Sequence, residues 1–331
     1  MSPREAASAP VAPSAAKARS WRFLRVLPVA ALCALPLVAG KPFWFHLAIL
    51  ICLNAIFVSG LGIIARVGQL SLCHGAFVGV GAYAAVLAVL RAGLPFLAGV
   101  AIGAVVAGLL ATALGLIILR LRGVYFVLVT FAFGELVRLV LLDFPSVSGG
   151  ANGITGIPPA SVLGIELQGK ASFYVFVLLV AIAVLAFTMA FLRSPVGRAF
   201  DAIAENLPLA EGSGIGARRF QVVAFGVGSA MAGGAGAILA HYVGYISPET
   251  FSFALSLNLI IMLVIGGRGS LLGPVLGALF LTPLPELLRG TLALQHILYG
   301  AALILVLRFL PSGIGGLVDR WWARLGAAGR G

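Results

Sequence analysis

Charged residues are scarce in this chain. They make up 10% of 331 residues, against roughly 25% in an ordinary soluble domain. Hydrophobic residues reach 61% and the mean hydropathy is +1.12. Those values exclude a soluble fold and make the chain an integral membrane protein. Cysteine is nearly absent too: Cys33, Cys52 and Cys73 all lie in apolar runs with no CxxC spacing, so they read as small packed hydrophobes rather than disulfide partners or metal ligands. No stretch alternates with period two long enough for a membrane β-barrel, which leaves α-helices as the spanning elements. The P-loop pattern GxxxxGK[ST] is missing, because neither Gly40-Lys41 nor Gly169-Lys170 has the required following residue. The glycine runs at 149–156 and 266–273 do not fit GxGxxG after a strand. No HExxH, GxSxG or close carboxylate pair is present. The expectation is therefore no catalytic residue, no cofactor and no metal in this chain; if ATP drives it, a partner binds the ATP.

Acidic residues are also few, 10 against 22 Lys and Arg, giving a net charge of +12. The basic residues do not gather on a soluble domain; they sit at the ends of apolar segments. That is a topology signal, not a nucleic-acid-binding face. Segments of roughly membrane-spanning length, about 20 residues each, read at 26–40, 43–65, 69–90, 94–119, 123–142, 171–192, 220–240, 253–267, 271–288 and 292–310. The first and eighth are short, and the ninth reads either as a span or as a re-entrant segment. With a cytoplasmic N-terminus and ten alternating spans, 17 of the 22 basic residues fall inside and only Lys41, Arg91, Lys170 and Arg289 outside, with Arg138 within a span. Both termini come out cytoplasmic. Residues 1–20, rich in Ala, Pro and Ser, read as a disordered cytoplasmic tail, 21–311 as the transmembrane domain, and 312–331 as a basic cytoplasmic tail. The run 26–40 resembles a signal-peptide core, but its long leading tail and the poor cleavage site at Ala39-Gly40-Lys41-Pro42 favour an uncleaved anchor. Glycine, at 43 residues, suits close helix packing, and Gly75/Gly79, Gly99/Gly103 and Gly273/Gly277 have GxxxG spacing.

Residues 193–219 interrupt the apolar pattern. They hold 7 of the 32 charged side chains, in a loop far longer than a turn between spans needs. Val196, Phe200, Ile203 and Leu207 recur on one helical face, while Arg198, Asp201, Glu205 and Asn206 fall elsewhere around it. Pro208 is expected to break the helix, and Gly212, Gly214 and Gly216 to loosen the segment beyond it. An amphipathic helix on the aqueous side suits docking to a soluble partner; the alternative is a helix lying on the lipid surface.

Three ionisable residues lie within or close to the apolar runs, where such groups are functional candidates by default. Glu135 and Arg138 stand three apart on one helix and can neutralise each other, which makes structural pairing the alternative to a place in the substrate path. His74 sits beside Gly75, where backbones approach; its alternative is a hydrogen-bonded packing role. The loop SVSGGANGITGIPP (146–159) is too apolar for an ordinary solvated turn, and either folds back over a cavity entrance or is flexible.

The blocks GQLSLCHGAFVGVGAYAA (68–85), GVYFVLVTFAFGELVRLV (123–140), SGGANGITGIP (148–158), the 193–219 insert and SPETFSFALSLNLIIMLVIGGRGSLLGPVLGA (247–278) together resemble the LivM-type permease subunit of branched-chain amino acid ABC importers. The SGGANGITGIP block favours that type over its companion LivH-type subunit. The resemblance implies an all-α polytopic inner-membrane bundle of about ten transmembrane helices, in a bacterial or archaeal plasma membrane. It implies a LivH-type permease as partner, two cytoplasmic ATPases carrying ATP and Mg, and an extracytoplasmic binding protein that delivers substrate. The insert would supply a coupling helix for the ATPases, with Arg198, Phe200, Ile203, Leu207, Ala210, Glu211 and Gly214 as its coupling residues. Glu211, Gly214 and Ile215 fit the superfamily's "EAA…G" pattern, but Gly212 stands where a second alanine is common. His74, Glu135 and Arg138 are the translocation-path candidates. An ion-gradient-driven transporter is the main rival, and urea, amides, aromatic acids or sugars are rival cargoes. A lipid-modifying enzyme lacks its catalytic constellation.

Overall fold

The computed structural model describes residues 42–287 except 122, 163, 168 and 271, together with 300, 304, 308 and 313–316. The expected first span at 26–40 and the tail at 1–20 lie outside the described residues, as do most of the last span (292–310) and of the tail at 312–331. Helices α1 (Pro42–Arg66), α2 (His74–Ala92), α3 (Phe96–Ile118), α4 (Val124–Asp143), α5 (Pro145–Ser148) and α6 (Lys170–Arg193) come first. The insert follows as α7 (Pro195–Glu205) and α8 (Leu207–Gly212), then α9 (Ala217–Val243), α10 (Phe253–Gly266), α11 (Gly273–Leu281) and α12 (Pro283–Leu287). Among the described residues seven helical segments are long and apolar enough to cross a membrane: α1, α2, α3, α4, α6, α9, and α10 with the turn before it.

Six expected spans, 43–65, 94–119, 123–142, 171–192, 220–240 and 253–267, agree with α1, α3, α4, α6, α9 and α10 to within a few residues. Two others differ for local reasons. The span expected at 69–90 starts late because Val67, Gln69, Ser71 and Cys73 are buried in a non-helical approach to α2. Of the segment at 271–288, residues 273–287 form α11 and α12 on either side of Thr282. Thr282 itself keeps helical dihedrals and its amide donates to the Ala278 carbonyl at 3.0 Å, while Pro283 beside it has no N–H to give.

Helix α9 is the packing axis, contacting α3, α2 and α1. Its glycines let backbones touch: a Cβ at Gly81 of α2 would fall on the Gly233 backbone, and one at Gly60 of α1 on the Gly228 carbonyl. The GxxxG pairs are in close contact too, Gly79 against Phe251 and Gly277 against the Met262 carbonyl. Helix α1 is buried over most of its length, whereas α4 buries only Phe126 and Thr130 and stands at the periphery. The Gly-rich loop is folded against the chain: β1 (Ile154–Thr155) pairs antiparallel with β4 (Tyr245–Ile246), and β2 (Ser161–Val162) with β3 (Ile165–Glu166).

Candidate functional site

The insert is a capped two-helix element. Ser194 follows the last residue of α6, and its Oγ accepts a hydrogen bond from the Val196 amide at 3.2 Å, with Pro195 in the first turn. That is a standard helix start. A Cβ at Gly197 would collide with the Leu192 backbone, so the α6–α7 corner is tight. The helix does not break at Pro208. It ends at Asn206, whose side-chain Oδ1 accepts from the Leu209 amide at 3.1 Å and caps α8. Pro208 lies in the first turn of α8, where a missing N–H costs nothing. Helix α8 closes through Gly214, at φ 85°. The Ile215 amide donates to the Ala210 carbonyl and the Gly214 amide to the Glu211 carbonyl, each at 3.0 Å. This is a Schellman closure, which favours glycine at that position.

The apolar face of α7 has the expected spacing but faces inward. Phe200 is fully buried, its ring 5.8 Å from Phe191 and 6.3 Å from Phe220, in one cluster with Ile63, Val67 and Ala224. Ile203 packs with Ala210 and Ala217, and Leu207 against that group. In this conformation Phe200, Ile203 and Ala210 cannot act as anchors for an outside protein, because the chain's own helices cover them. The exposed side carries Arg198, Glu205, Glu211, Gly214 and Leu209, the last 67% exposed. One pair joins this element to a span: Arg66 at the end of α1 meets Asp201 of α7 through both carboxylate oxygens, at 2.5 and 3.0 Å.

Three polar places among the described residues bear on a path through the spans. Arg138 Nε donates to Glu135 at 2.8 Å, as the three-residue spacing suggests, and its second nitrogen donates to Glu249 at 2.6 Å. Glu249 lies in the turn Pro248–Phe251, so the pair is a triad tying peripheral α4 to the segment before α10. His74 is fully buried, with Nε2 3.0 Å from the Phe57 carbonyl; its geometry is that of a packing residue. The third place holds none of the residues that the sequence singles out. Asn54 Nδ2 donates to Thr282 Oγ1 at 2.9 Å, beside a cavity of about 360 Å³ lined also by Asn258 and Glu286. Glu286 lies inside the apolar run 271–288, and an acid there is itself a signal.

The family described as "Branched-chain amino acid transport system / permease component" matches residues 43–307. The chain belongs to that family. It is 32% identical over 283 residues to the high-affinity branched-chain amino acid transport system permease protein LivM of Escherichia coli K12, covering 78% of this chain and 67% of the relative. It is 36% identical over 135 residues to LivH of Salmonella typhimurium LT2, covering 40% and 44%. A third relative, the autoinducer 2 import system permease protein LsrC of Photorhabdus laumondii, is 36% identical over 110 residues, covering 31% and 33%. No solved structure matches the chain. Membership makes this a multi-pass LivM-type permease component and not an enzyme.

Proposed function

We propose that this permease is one of two membrane subunits of an ATP-driven importer that carries branched-chain or related small amino acids into the cytoplasm. The observation that supports it best is the insert: two capped helices fastened to the spans from within, presenting a polar face with Leu209 exposed. A helix that merely lay on lipid would turn its apolar face outward. Here that face holds the element to α1, α6 and α9, which suits a lever moved by a soluble partner. On this reading two ATPases, holding ATP and Mg, engage the exposed side through Arg198, Leu209 and Glu211. A LivH-type companion completes the path, and an extracytoplasmic binding protein supplies substrate. The membrane is the plasma membrane of a bacterium or archaeon, with both termini and the insert cytoplasmic. Closure of the ATPases would move α7, and the Arg66–Asp201 pair would pass that motion to α1.

The test is reconstitution of the permease pair, ATPases and binding protein in vesicles. Leucine uptake that requires ATP inside and stops without the binding protein is expected. Uptake by this chain alone, driven by an ion gradient, would refute the reading. Cysteine labelling of intact cells is expected to reach position 165 and to miss 205.

A further inference from the structure

The cavity between α1, α10, α11 and α12 is lined by polar as well as apolar side chains. Its volume, about 360 Å³, lies within the range of small-molecule sites, roughly 300–1,000 Å³. Asn54, Asn258 and Glu286 reach it from α1, α10 and α12 and Thr282 from the α11–α12 junction, while Leu259 and Met262 supply apolar wall. Asn54 lies midway along α1 between Pro42 and Arg66, which sets the cavity near the middle of the membrane. Thr282, bonded to Asn54, lies at the junction of α11 and α12, next to Pro283, which has no N–H to give. Asn258 is exposed, so the cavity is open on that side among the described residues.

The Asn54–Thr282 bond alone would be ordinary packing. A carboxylate and a second amide line the same open volume, opposite apolar side chains. Glu286 accepts hydrogen bonds, and an asparagine amide donates two. Those are the complements of an ammonium and of a carboxylate. We propose that this cavity is a cargo station for an amino acid with an apolar side chain. Glu286 faces the ammonium, the amides of Asn54 and Asn258 face the carboxylate, and Leu259 and Met262 take the side chain. The inference rests on the importer reading and adds the place and the residues that handle its cargo.

The experiment uses the reconstituted transporter and leucine, with each variant first shown by gel filtration to recover the whole complex. Glu286→Gln and Asn258→Leu are each expected to lower uptake at sub-saturating leucine by about tenfold or more, the loss typical of one charge-assisted contact. Glu286→Asp, which keeps the charge, retains more uptake than Glu286→Gln. Wild-type uptake in both Glu286→Gln and Asn258→Leu overturns the station. Equal uptake in Glu286→Asp and Glu286→Gln overturns the ammonium pairing. If Glu286→Gln fails to assemble, Asn258→Leu, at an exposed position, carries the test alone. A wild-type complex that takes up no leucine is a separate result: it overturns the importer reading, and the station falls with it.

Discussion

Replacing Phe200 by alanine tests whether the apolar face of α7 belongs to the permease itself. The ring is fully buried between Phe191 and Phe220 and touches the ends of α1 and α9. Truncating a buried phenylalanine costs about 3–5 kcal/mol, part of it for the cavity left behind. The polar ties on α7 are weaker. The Arg66–Asp201 side chains are 22% and 50% exposed, so solvent screening holds their pair to roughly 1 kcal/mol or less, and the Ser194 cap contributes about 1 kcal/mol. Losing Phe200 therefore removes more than either polar tie contributes. A loss of about 3 kcal/mol raises the population of locally undocked α7 by roughly a hundredfold. Hydrogen exchange read by mass spectrometry on the purified permease, without ATPases, is the assay. The amides of 196–205 are expected to lose about two orders of magnitude of protection in Phe200→Ala, with leucine uptake falling in the reconstituted system. Phe187→Ala, at a ring 49% exposed, leaves that protection unchanged. Wild-type protection of α7 in isolated Phe200→Ala, together with lost ATPase binding, would refute the reasoning and restore Phe200 as a docking anchor.

Three other perturbations probe the same geometry. Arg66→Gln and Asp201→Asn, combined in a double-mutant cycle of thermal unfolding, are expected to give a coupling energy under about 1 kcal/mol, because the pair is half exposed; a value above about 2 kcal/mol would contradict that. Gly214→Ala places a Cβ at φ 85° where nothing lies within 4 Å, so its cost is backbone strain alone, about 1–2 kcal/mol. Exchange at the Ile215 amide should rise more in Gly214→Ala than in Gly214→Asn, and the reverse order would count against the Schellman closure. Gly81→Leu meets the Gly233 backbone, which has no side chain to yield, so α2 and α9 must separate; folded protein recovered in detergent with an unchanged Tm would disprove that contact.

Long apolar runs are legible because length and hydropathy are local properties, and α1, α3, α4 and α6 fall where such runs place them. The spacing of Val196, Phe200, Ile203 and Leu207 is legible for the same reason. Its direction is not. Amphipathicity shows that one side of a helix is covered, and a ring buried against Ile63 and Phe220 leaves the same pattern as one buried against another protein. Pro208 shows a different limit. A proline ends one helix or begins the next, and only its context decides. Asn206, two residues earlier, is a cap residue, and reading the two together would have placed a helix start there.

The cavity was hidden for a reason built into hydropathy itself. Averaging over 271–288 lets Leu276, Leu279, Phe280 and Leu281 outweigh Thr282, Pro283, Pro285 and Glu286, so the polar end of the run is lost in the mean. Two prolines and an acid within five residues are the local sign of a cavity or a protein neighbour, since a bilayer leaves unbonded backbone and buried charge unsatisfied. Asn54 and Asn258 are lone amides in largely apolar helices, and neither is informative alone. The same holds for the ion pairs: Asp201 is 135 residues from Arg66, and Glu249 is 111 from Arg138, so no spacing rule connects them. A transport site differs here from a catalytic motif, whose residues often crowd into one strand–turn–helix and announce themselves together. Cargo that must leave again needs only weak contacts, and weak contacts can be drawn singly from distant helices. A polar residue in an apolar run is therefore informative only once the fold shows which other polar residues share its depth.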